Sequence, residues 1–213
     1  MDDLFNEMKN LVIAGNGAEL IKRVSNAREK GIAAKDILFK GLIAGMDIVG
    51  QRMKSGEMFI PEVLLSARTM QAVIDAMGPY LTEKDLSAGG IIVIGTVEGD
   101  LHDIGKNLVA LMLKGAGFKV IDLGVDVKPN VFVEAVKTHK AQIIGMSALL
   151  TTTIVKMKET IMALETAGLR HKVKVMAGGA PVTQNLADDF GADAYGNSAP
   201  MAVEIAKRFI ATD

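Results

Sequence analysis

A short stretch, residues 95–106, carries the side chains best suited to chemistry. In it Asp100 and His102 are two positions apart, and Gly105 follows the histidine after three. An imidazole can bind a metal through one ring nitrogen while a carboxylate accepts the hydrogen of the other nitrogen and so orients the ring. The spacing therefore suggests that His102 is a metal ligand held in place by Asp100.

The rest of the chain offers few further metal ligands. There is no cysteine, and the other histidines, His139 and His171, lie beside lysines near predicted helix ends, where we expect them to be solvated. One histidine and one aspartate are too few ligands for zinc. A metal that brings its equatorial ligands in a macrocycle needs only one imidazole, which leaves haem and corrinoid as candidates. The alternative is that His102 is buried and binds no ligand, with Asp100 only satisfying its hydrogen-bonding need.

Residues 90–213 are predicted to form a flavodoxin-like, doubly wound parallel sheet of five strands. Continuous apolar runs, such as residues 91–94 and 142–146, alternate with helical patterns. Such runs are typical of strands covered by helices on both faces. The first, third and fourth strands are neighbours in this topology, and ligands bind at the carboxyl edge of such sheets. The loops after these three strands are therefore expected to line one crevice.

These loops supply the other candidate residues. Asp100 and His102 follow the first strand, and Ser147, Leu149 and Thr151 follow the third. The fourth strand ends in Gly178 and Gly179. The two glycines and Gly105 would leave a channel for a slender group, because they lack side chains that would block it. A corrinoid has such a group, its nucleotide arm, whereas haem has none.

Residues 1–85 show helical periodicity and are predicted to form a four-helix bundle, with the domain boundary in the polar segment 82–90. The clearest apolar stripe consists of Leu38, Leu42, Met46, Val49 and Met53. Side chains at such intervals lie on one face of a helix and must pack against a core. Four helices joined by short turns pack most simply as an antiparallel bundle.

The turn before the last of these helices contains an unusual apolar triplet. Turns normally lie at the surface, so Met58, Phe59 and Ile60 would be exposed there. They either form a hydrophobic staple at the start of the helix or cover a flat ligand held by the second domain. On the second interpretation Met58, Phe59 and Val63 would lie near the upper face of that ligand.

The composition limits the possible partners. Hydrophobic residues make up 49% and charged residues 23%, and the formal net charge is -1. This charge gives no reason to expect nucleic acid or an anionic membrane as a partner. The amino terminus lacks the features of a signal peptide, and no apolar run approaches the roughly 20 residues that cross a bilayer. We therefore expect a cytoplasmic protein without disulfides.

Taken together, these motifs resemble those of the cobalamin-binding corrinoid proteins of methyltransferase systems. That family carries Asp-x-His-x-x-Gly, then Ser-x-Leu, then Gly-Gly, at characteristic distances. Here residues 106–146, 41 positions, separate the first motif from the second, and residues 150–177, 28 positions, separate the second from the third. The helical half, with the turn at residues 56–62, is similar to the family's cap.

The resemblance implies that cobalamin binds base-off, with His102 replacing the cofactor's own dimethylbenzimidazole as the lower axial ligand of cobalt. Asp100 would accept the other ring N–H of His102, and Ser147 would extend this hydrogen-bond chain. No residue is expected to be catalytic. The residues implied to contact the cofactor are Asp100, His102, Asp103, Ile104, Gly105, Ser147, Leu149, Thr151, Gly178 and Gly179, together with Met58, Phe59 and Val63 of the cap.

The function implied by the resemblance is that of a methyl-carrier subunit in a three-component system, not of a stand-alone enzyme. The methyl group would come from a substrate-specific methyltransferase and pass to a second methyltransferase acting on tetrahydrofolate or a thiol. A reductive activation protein would be a further partner. Two alternatives stay open, a cobalamin-binding sensor and the cofactor subunit of an adenosylcobalamin mutase. The donor is also open: methanol, a methylamine, a methyl thiol or a methoxylated aromatic compound.

Overall fold

The computed structural model describes residues Asp2–Ala211 and has the predicted fold class, a helical amino-terminal region followed by a parallel five-stranded sheet with helices. The chain forms two compact units. The first ends at Ala88 and includes Lys114–Gly117, and the second comprises Gly89–Leu113 and the residues from Phe118 onward. No helix within the described residues is long and apolar enough to cross a membrane.

The first unit is built on the predicted amphipathic helices. Its helices are α1 (Asp2–Ile13), α2 (Gly17–Glu29), α3 (Ala34–Asp36), α4 (Ala44–Ser55), α5 (Ile60–Met77) and α6 (Glu83–Leu86). A π-helical segment, Ile37–Ile43, joins α3 to α4, so residues 34–55 form one continuous helix. Leu38, Leu42, Met46 and Val49 are buried, which confirms that this part of the stripe faces a core, whereas Met53 at its end is only partly buried.

The polar segment 82–90 contains one element beyond the sequence prediction, the short helix α6. Thr82 caps it: the backbone N–H of Asp85 donates to Oγ1 of Thr82 at 3.1 Å, and the backbone N–H of Thr82 donates to the Asp85 carboxylate at 3.0 Å. This reciprocal arrangement is a capping box, which satisfies backbone donors that a helix start leaves free. The hydrogen bonds from Thr82 also lower the pKa of Asp85.

The second unit alternates strands and helices, as predicted. Its strands are β1 (Ile91–Thr96), β2 (Lys119–Asp122), β3 (Ile143–Ser147), β4 (Lys174–Gly178) and β5 (Ala194–Gly196). Its helices are α7 (Ile104–Gly115), α8 (Pro129–His139), α9 (Val155–Thr166), α10 (Gln184–Phe190) and α11 (Ala199–Ala211). The neighbouring strands are parallel, and their order across the sheet is β2-β1-β3-β4-β5.

The register of the sheet brings the three candidate loops to one edge. Ser147, the last residue of β3, pairs with Thr96 at the end of β1 and with Gly178 at the end of β4. The three strands therefore end level with one another. This confirms the prediction that the first, third and fourth strands are neighbours, and it places the loops after them side by side.

The core of this unit explains the continuous apolar strands. Val93, Ile144 and Val175 are fully buried and belong to one cluster with side chains of α8, α9 and α10. Strand neighbours such as Ile92 and Ile143 are also fully buried, because both faces of the sheet are covered. The sequence pattern predicts that the helix after β3 runs from about Thr152 to Ala167, whereas in the structure it begins at Val155.

Candidate cofactor-binding site

The segment between β1 and α7 is held to the sheet by several hydrogen bonds. The backbone N–H of Val97 donates to the carbonyl of Ser147 at 3.0 Å, and the N–H of Asp100 donates back to the carbonyl of Val97 at 3.1 Å. The buried hydroxyl of Thr96 donates to the carbonyl of His102 at 2.9 Å. The backbone is thus anchored at both ends of the Asp100–His102 pair.

Asp100 is fully buried, and its carboxylate accepts hydrogen bonds from two loops. Oδ1 accepts from the backbone N–H of His102 at 3.0 Å and is 2.7 Å from Nδ1 of the same residue. Oδ2 accepts from the backbone N–H groups of Leu149 and Leu150, at 2.6 and 3.1 Å. The hydroxyl of Thr153 also donates to Oδ2, at 3.0 Å. One side chain therefore joins the loop after β1 to the loop after β3.

These bonds keep Asp100 ionised. Burial by itself raises the pKa of a carboxyl group, but the hydrogen bonds from His102, Leu149 and Leu150 outweigh burial and hold the pKa of Asp100 well below its usual range. An ionised carboxylate can only accept hydrogen bonds, so Nδ1 of a neutral His102 must carry the ring hydrogen. The other ring nitrogen, Nε2, is then left with a lone pair.

His102 is suited to bind a ligand through Nε2. Its side chain is 51% exposed although its partner Asp100 is buried, so the ring is anchored on one side and accessible on the other. Within the described residues, no group of three or more histidine, aspartate and glutamate side chains could hold a metal ion.

The surroundings of His102 fit a flat macrocycle. Leu101 and Ile104, on either side of the histidine loop, are strongly exposed, Ile104 to 84%. Leu149 and Leu150, whose backbones bind Asp100, also expose their side chains. Exposed apolar groups around one accessible imidazole are what a large, largely apolar ligand with a central metal requires.

Asp103 and Gly105 lie at the start of α7, where Asp103 accepts hydrogen bonds and Gly105 borders open space. The carbonyl of Asp103 accepts from the backbone N–H of Asn107 at 2.7 Å, and its carboxylate accepts from the Asn107 side chain at 2.9 Å. A Cβ added to Gly105 would meet no atom within 4 Å, so open space lies beside this glycine. That space is compatible with the predicted channel.

Gly178 and Gly179 are required by the chain itself. A Cβ at Gly178 would lie 2.9 Å from the carbonyl oxygen of Gly196 on β5. Gly179 has φ +125°, and a Cβ there would collide with the carbonyl oxygen of Ala148. Because β5 passes close to Gly178 and the loop after β3 passes close to Gly179, side chains are excluded at these positions whether or not a ligand passes by.

The hydrogen bonds to Asp100 come from other residues, and the part of Ser147 in this hydrogen-bond chain stays a prediction. Within the described chain, the donors to Asp100 are His102, Leu149, Leu150 and Thr153. Ser147 contributes its backbone carbonyl to Val97. Thr151 is exposed, and Thr153, two positions later, is the buried threonine. The need of a buried carboxylate for several donors is the signal that points to this threonine run.

The three cap residues differ in burial. Met58 and Val63 are buried. Met58 precedes the N-cap residue of α5 and Val63 is the fourth residue of that helix, the two positions that a hydrophobic staple brings together. Phe59, the N-cap residue, is 68% exposed, and its backbone N–H donates to the Glu62 carboxylate at 2.8 Å. Contact of these residues with a cofactor stays a prediction.

Comparison with known proteins adds an independent line of evidence. B12 binding domain families match residues 90–204 and residues 4–77. A corrinoid protein of Desulfitobacterium hafniense (strain Y51) is 42% identical over 210 residues, 97% of each protein. A trimethylamine corrinoid protein of Methanosarcina barkeri is 47% identical over 188 residues, 87% of each. The methanol:cobalamin methyltransferase complex MtaBC from Methanosarcina barkeri matches with a TM-score of 0.91 at 30% identity, over 100% of this chain and 81% of that chain.

Proposed function

Because the chain belongs to the B12-binding corrinoid proteins of methyltransferase systems, we propose that it carries a methyl group between two methyltransferases. The bound cobalamin supplies the cobalt to which that group is attached. The observation that carries the proposal is the accessible imidazole of His102, backed by the buried carboxylate of Asp100. An acceptor on one ring nitrogen raises the basicity of the other, which suits an axial metal ligand.

His102 is proposed as the lower axial ligand, with the cofactor bound base-off. Asp100 holds the hydrogen on Nδ1, so Nε2 is available to the metal in the neutral ring. The exposed side chains of Leu101, Ile104, Leu149 and Leu150 would lie against the macrocycle. The open space beside Gly105 would take the nucleotide arm. The remaining residues proposed for the cofactor are Asp103, Ser147, Thr151, Gly178 and Gly179.

The proposed partners are a substrate-specific methyltransferase, a second methyltransferase acting on tetrahydrofolate or a thiol, and a reductive activation protein. The names of two similar proteins, one for trimethylamine and one in a methanol complex, support a methyltransferase partner. The chain is 47% identical to the trimethylamine corrinoid protein and 30% identical to the protein of the methanol complex, which favours a methylamine as the original donor. A sensor function is not favoured, because no relative described above is named for regulation.

An isotope experiment tests the proposed ligand. The protein is produced with 15N-labelled histidine, loaded with unlabelled cobalamin and reduced to cobalt(II), and its EPR spectrum is recorded. Ligation by His102 predicts a doublet splitting from the nitrogen-15 nucleus in place of the triplet of nitrogen-14. His139→Gln and His171→Gln variants should leave the doublet intact, and His102→Ala should abolish it. A triplet in the labelled protein would mean that the cofactor's own base is the ligand.

The carrier function is tested separately. Reduced, loaded protein is offered to methyltransferases specific for trimethylamine, dimethylamine, monomethylamine and methanol, each with its substrate. Methylation of the cofactor by a methylamine enzyme and not by the methanol enzyme is the expected result. A loaded protein that is methylated by none of them, and by no methyltransferase for methyl thiols or methoxylated aromatic compounds either, would contradict the carrier proposal even if His102 binds cobalt.

A further inference from the structure

Asp126, in the loop between β2 and α8, has an unusual backbone conformation. Among the described residues other than glycine, only Asp126 and Lys140 have positive φ, at 54° and 52°. Lys140 caps the carboxyl end of α8, where the left-handed conformation is common. Asp126 is not at a helix end, so its conformation needs another reason. Strained residues that persist in a fold are often found at functional sites.

Asp126 makes two hydrogen bonds to the residues just before His102. Its Oδ1 accepts from the backbone N–H of Gly99 at 2.7 Å. Its own backbone N–H donates to the carbonyl oxygen of Asp100 at 3.0 Å. We call these two bonds the Asp126 clasp. With this left-handed backbone, Asp126 presents both its backbone N–H and its carboxylate to the loop after β1.

The clasp completes the anchoring of Asp100. The N–H of Asp100 donates to the carbonyl of Val97, and its carbonyl accepts from the N–H of Asp126. Its carboxylate accepts from the donors described above. Gly99, directly before it, has φ +81° and no side chain to restrict its backbone. Without the Asp126 carboxylate, the N–H of Gly99 would lose this partner, and the backbone that leads into Asp100 would be less restrained.

We propose that Asp126 is a positioning residue for the Asp100–His102 pair. Through Gly99 and the Asp100 carbonyl it holds the Asp100 carboxylate where it can select the Nδ1–H form of His102. Functional groups have to be held within about 0.5 Å of their working geometry, and the residues that support them determine this. The proposal rests on the function proposed for His102, but the hydrogen bonds from which it is argued lie within this chain and do not involve the cofactor.

The test uses the protein without cofactor. Long-range 1H–15N NMR spectra in alkaline buffer, where imidazoles are neutral, give the ratio of the Nδ1–H to the Nε2–H form of His102. Asp126→Ala and Asp126→Gly should lower this ratio at least about tenfold, because a hydrogen bond that sets the loop is lost. Asp126→Asn should stay close to wild type, because asparagine keeps an acceptor oxygen and tolerates the left-handed conformation.

Two controls separate positioning from strain. Lys140→Ala introduces alanine at almost the same φ elsewhere in this unit and should leave the ratio unchanged. Asp126→Gly removes the strain together with the carboxylate, so it remains a usable variant if Asp126→Ala fails to fold. A wild-type ratio in Asp126→Gly would overturn the proposal. In loaded protein, the histidine-ligated fraction of the EPR signal should fall in the same variants and recover in Asp126→Asn.

The two proposals can fail independently. If labelled wild-type protein shows no histidine nitrogen on cobalt, the proposed ligand is wrong while the NMR ratio still decides what Asp126 does. If histidine ligation is found but the ratio does not respond to Asp126→Gly, only the positioning role is wrong.

Discussion

The carboxylate of Asp100 has two roles that depend on each other. It connects the loops after β1 and β3, and it sets which ring nitrogen of His102 carries hydrogen. A buried charge is costly unless it is fully hydrogen-bonded, and Asp100 has donors on both oxygens. Its low pKa means that the charge, and with it the orientation of His102, persists over the physiological range.

We predict an acid dependence of stability that is specific to Asp100. Its pKa is lower in the folded protein than the usual value of about 3.9 for an unfolded chain. The ionised group therefore contributes stability above that value and loses it as the pH falls toward the folded pKa. Urea unfolding of wild type and Asp100→Asn, at neutral pH and near pH ~3, should show a larger loss on acidification in wild type. Equal losses would contradict the low pKa.

At the scale of loops and helices, the glycines of the motif fall into two groups. Gly178 and Gly179 allow the loop after β3 and strand β5 to approach the end of β4. Gly105 lies in the first turn of α7 beside open space, and nothing in the described chain requires its missing side chain. Of these three glycines, only Gly105 is not required by the packing of the described chain.

The two groups should respond differently to alanine. Gly179→Ala should destabilise the cofactor-free protein by about 2 kcal/mol or more, because the methyl group meets backbone at a positive φ. Gly105→Ala should leave stability unchanged or raise it by about 0.5–1 kcal/mol, as alanine favours the helix. If the nucleotide arm passes Gly105, this variant should bind cobalamin about tenfold more weakly. Urea unfolding and cobalamin titration measure both effects, and unchanged affinity would place the arm elsewhere.

At the scale of the whole molecule, the chain combines two units that are each matched by a B12 binding domain family. In the helical unit, Met58 and Val63 are buried. Phe59 stands apart, as a large apolar side chain exposed at the start of α5. We keep the proposal that the helical unit protects the upper face of the cofactor, with Phe59 as its most accessible candidate.

Two substitutions separate packing from protection. Val63→Ala should lower the free energy of unfolding by about 1–3 kcal/mol, because it removes buried methyl groups. Phe59→Ala should change it by no more than about 0.5 kcal/mol, because the ring is exposed. In protein loaded with methylcobalamin, Phe59→Ala should shorten the half-life of the cofactor under light. An unchanged half-life would count against a protective role for Phe59.

Helical and strand periodicity were sufficient to predict both halves of the fold, because each pattern is a local property of the chain. The order of the strands was predicted from the topology that alternating strands and helices usually adopt, not from periodicity. The pairing of Asp100 with His102 was predictable for the same reason, since the residues are two positions apart. Element ends were less predictable. The short helix α6 begins at a capping box, whereas α9 begins at Val155 without a side-chain cap.

The remaining partners of Asp100 were decided by the tertiary structure alone. Leu149, Leu150 and Thr153 lie 49 to 53 positions along the chain and meet Asp100 only because β1 and β3 are neighbours that end level. Two of these donors are backbone N–H groups, which every residue other than proline possesses and which no residue type reveals. The sequence could therefore name Ser147, whose side chain is visible in the motif, but not the two amides that the fold brings to Asp100.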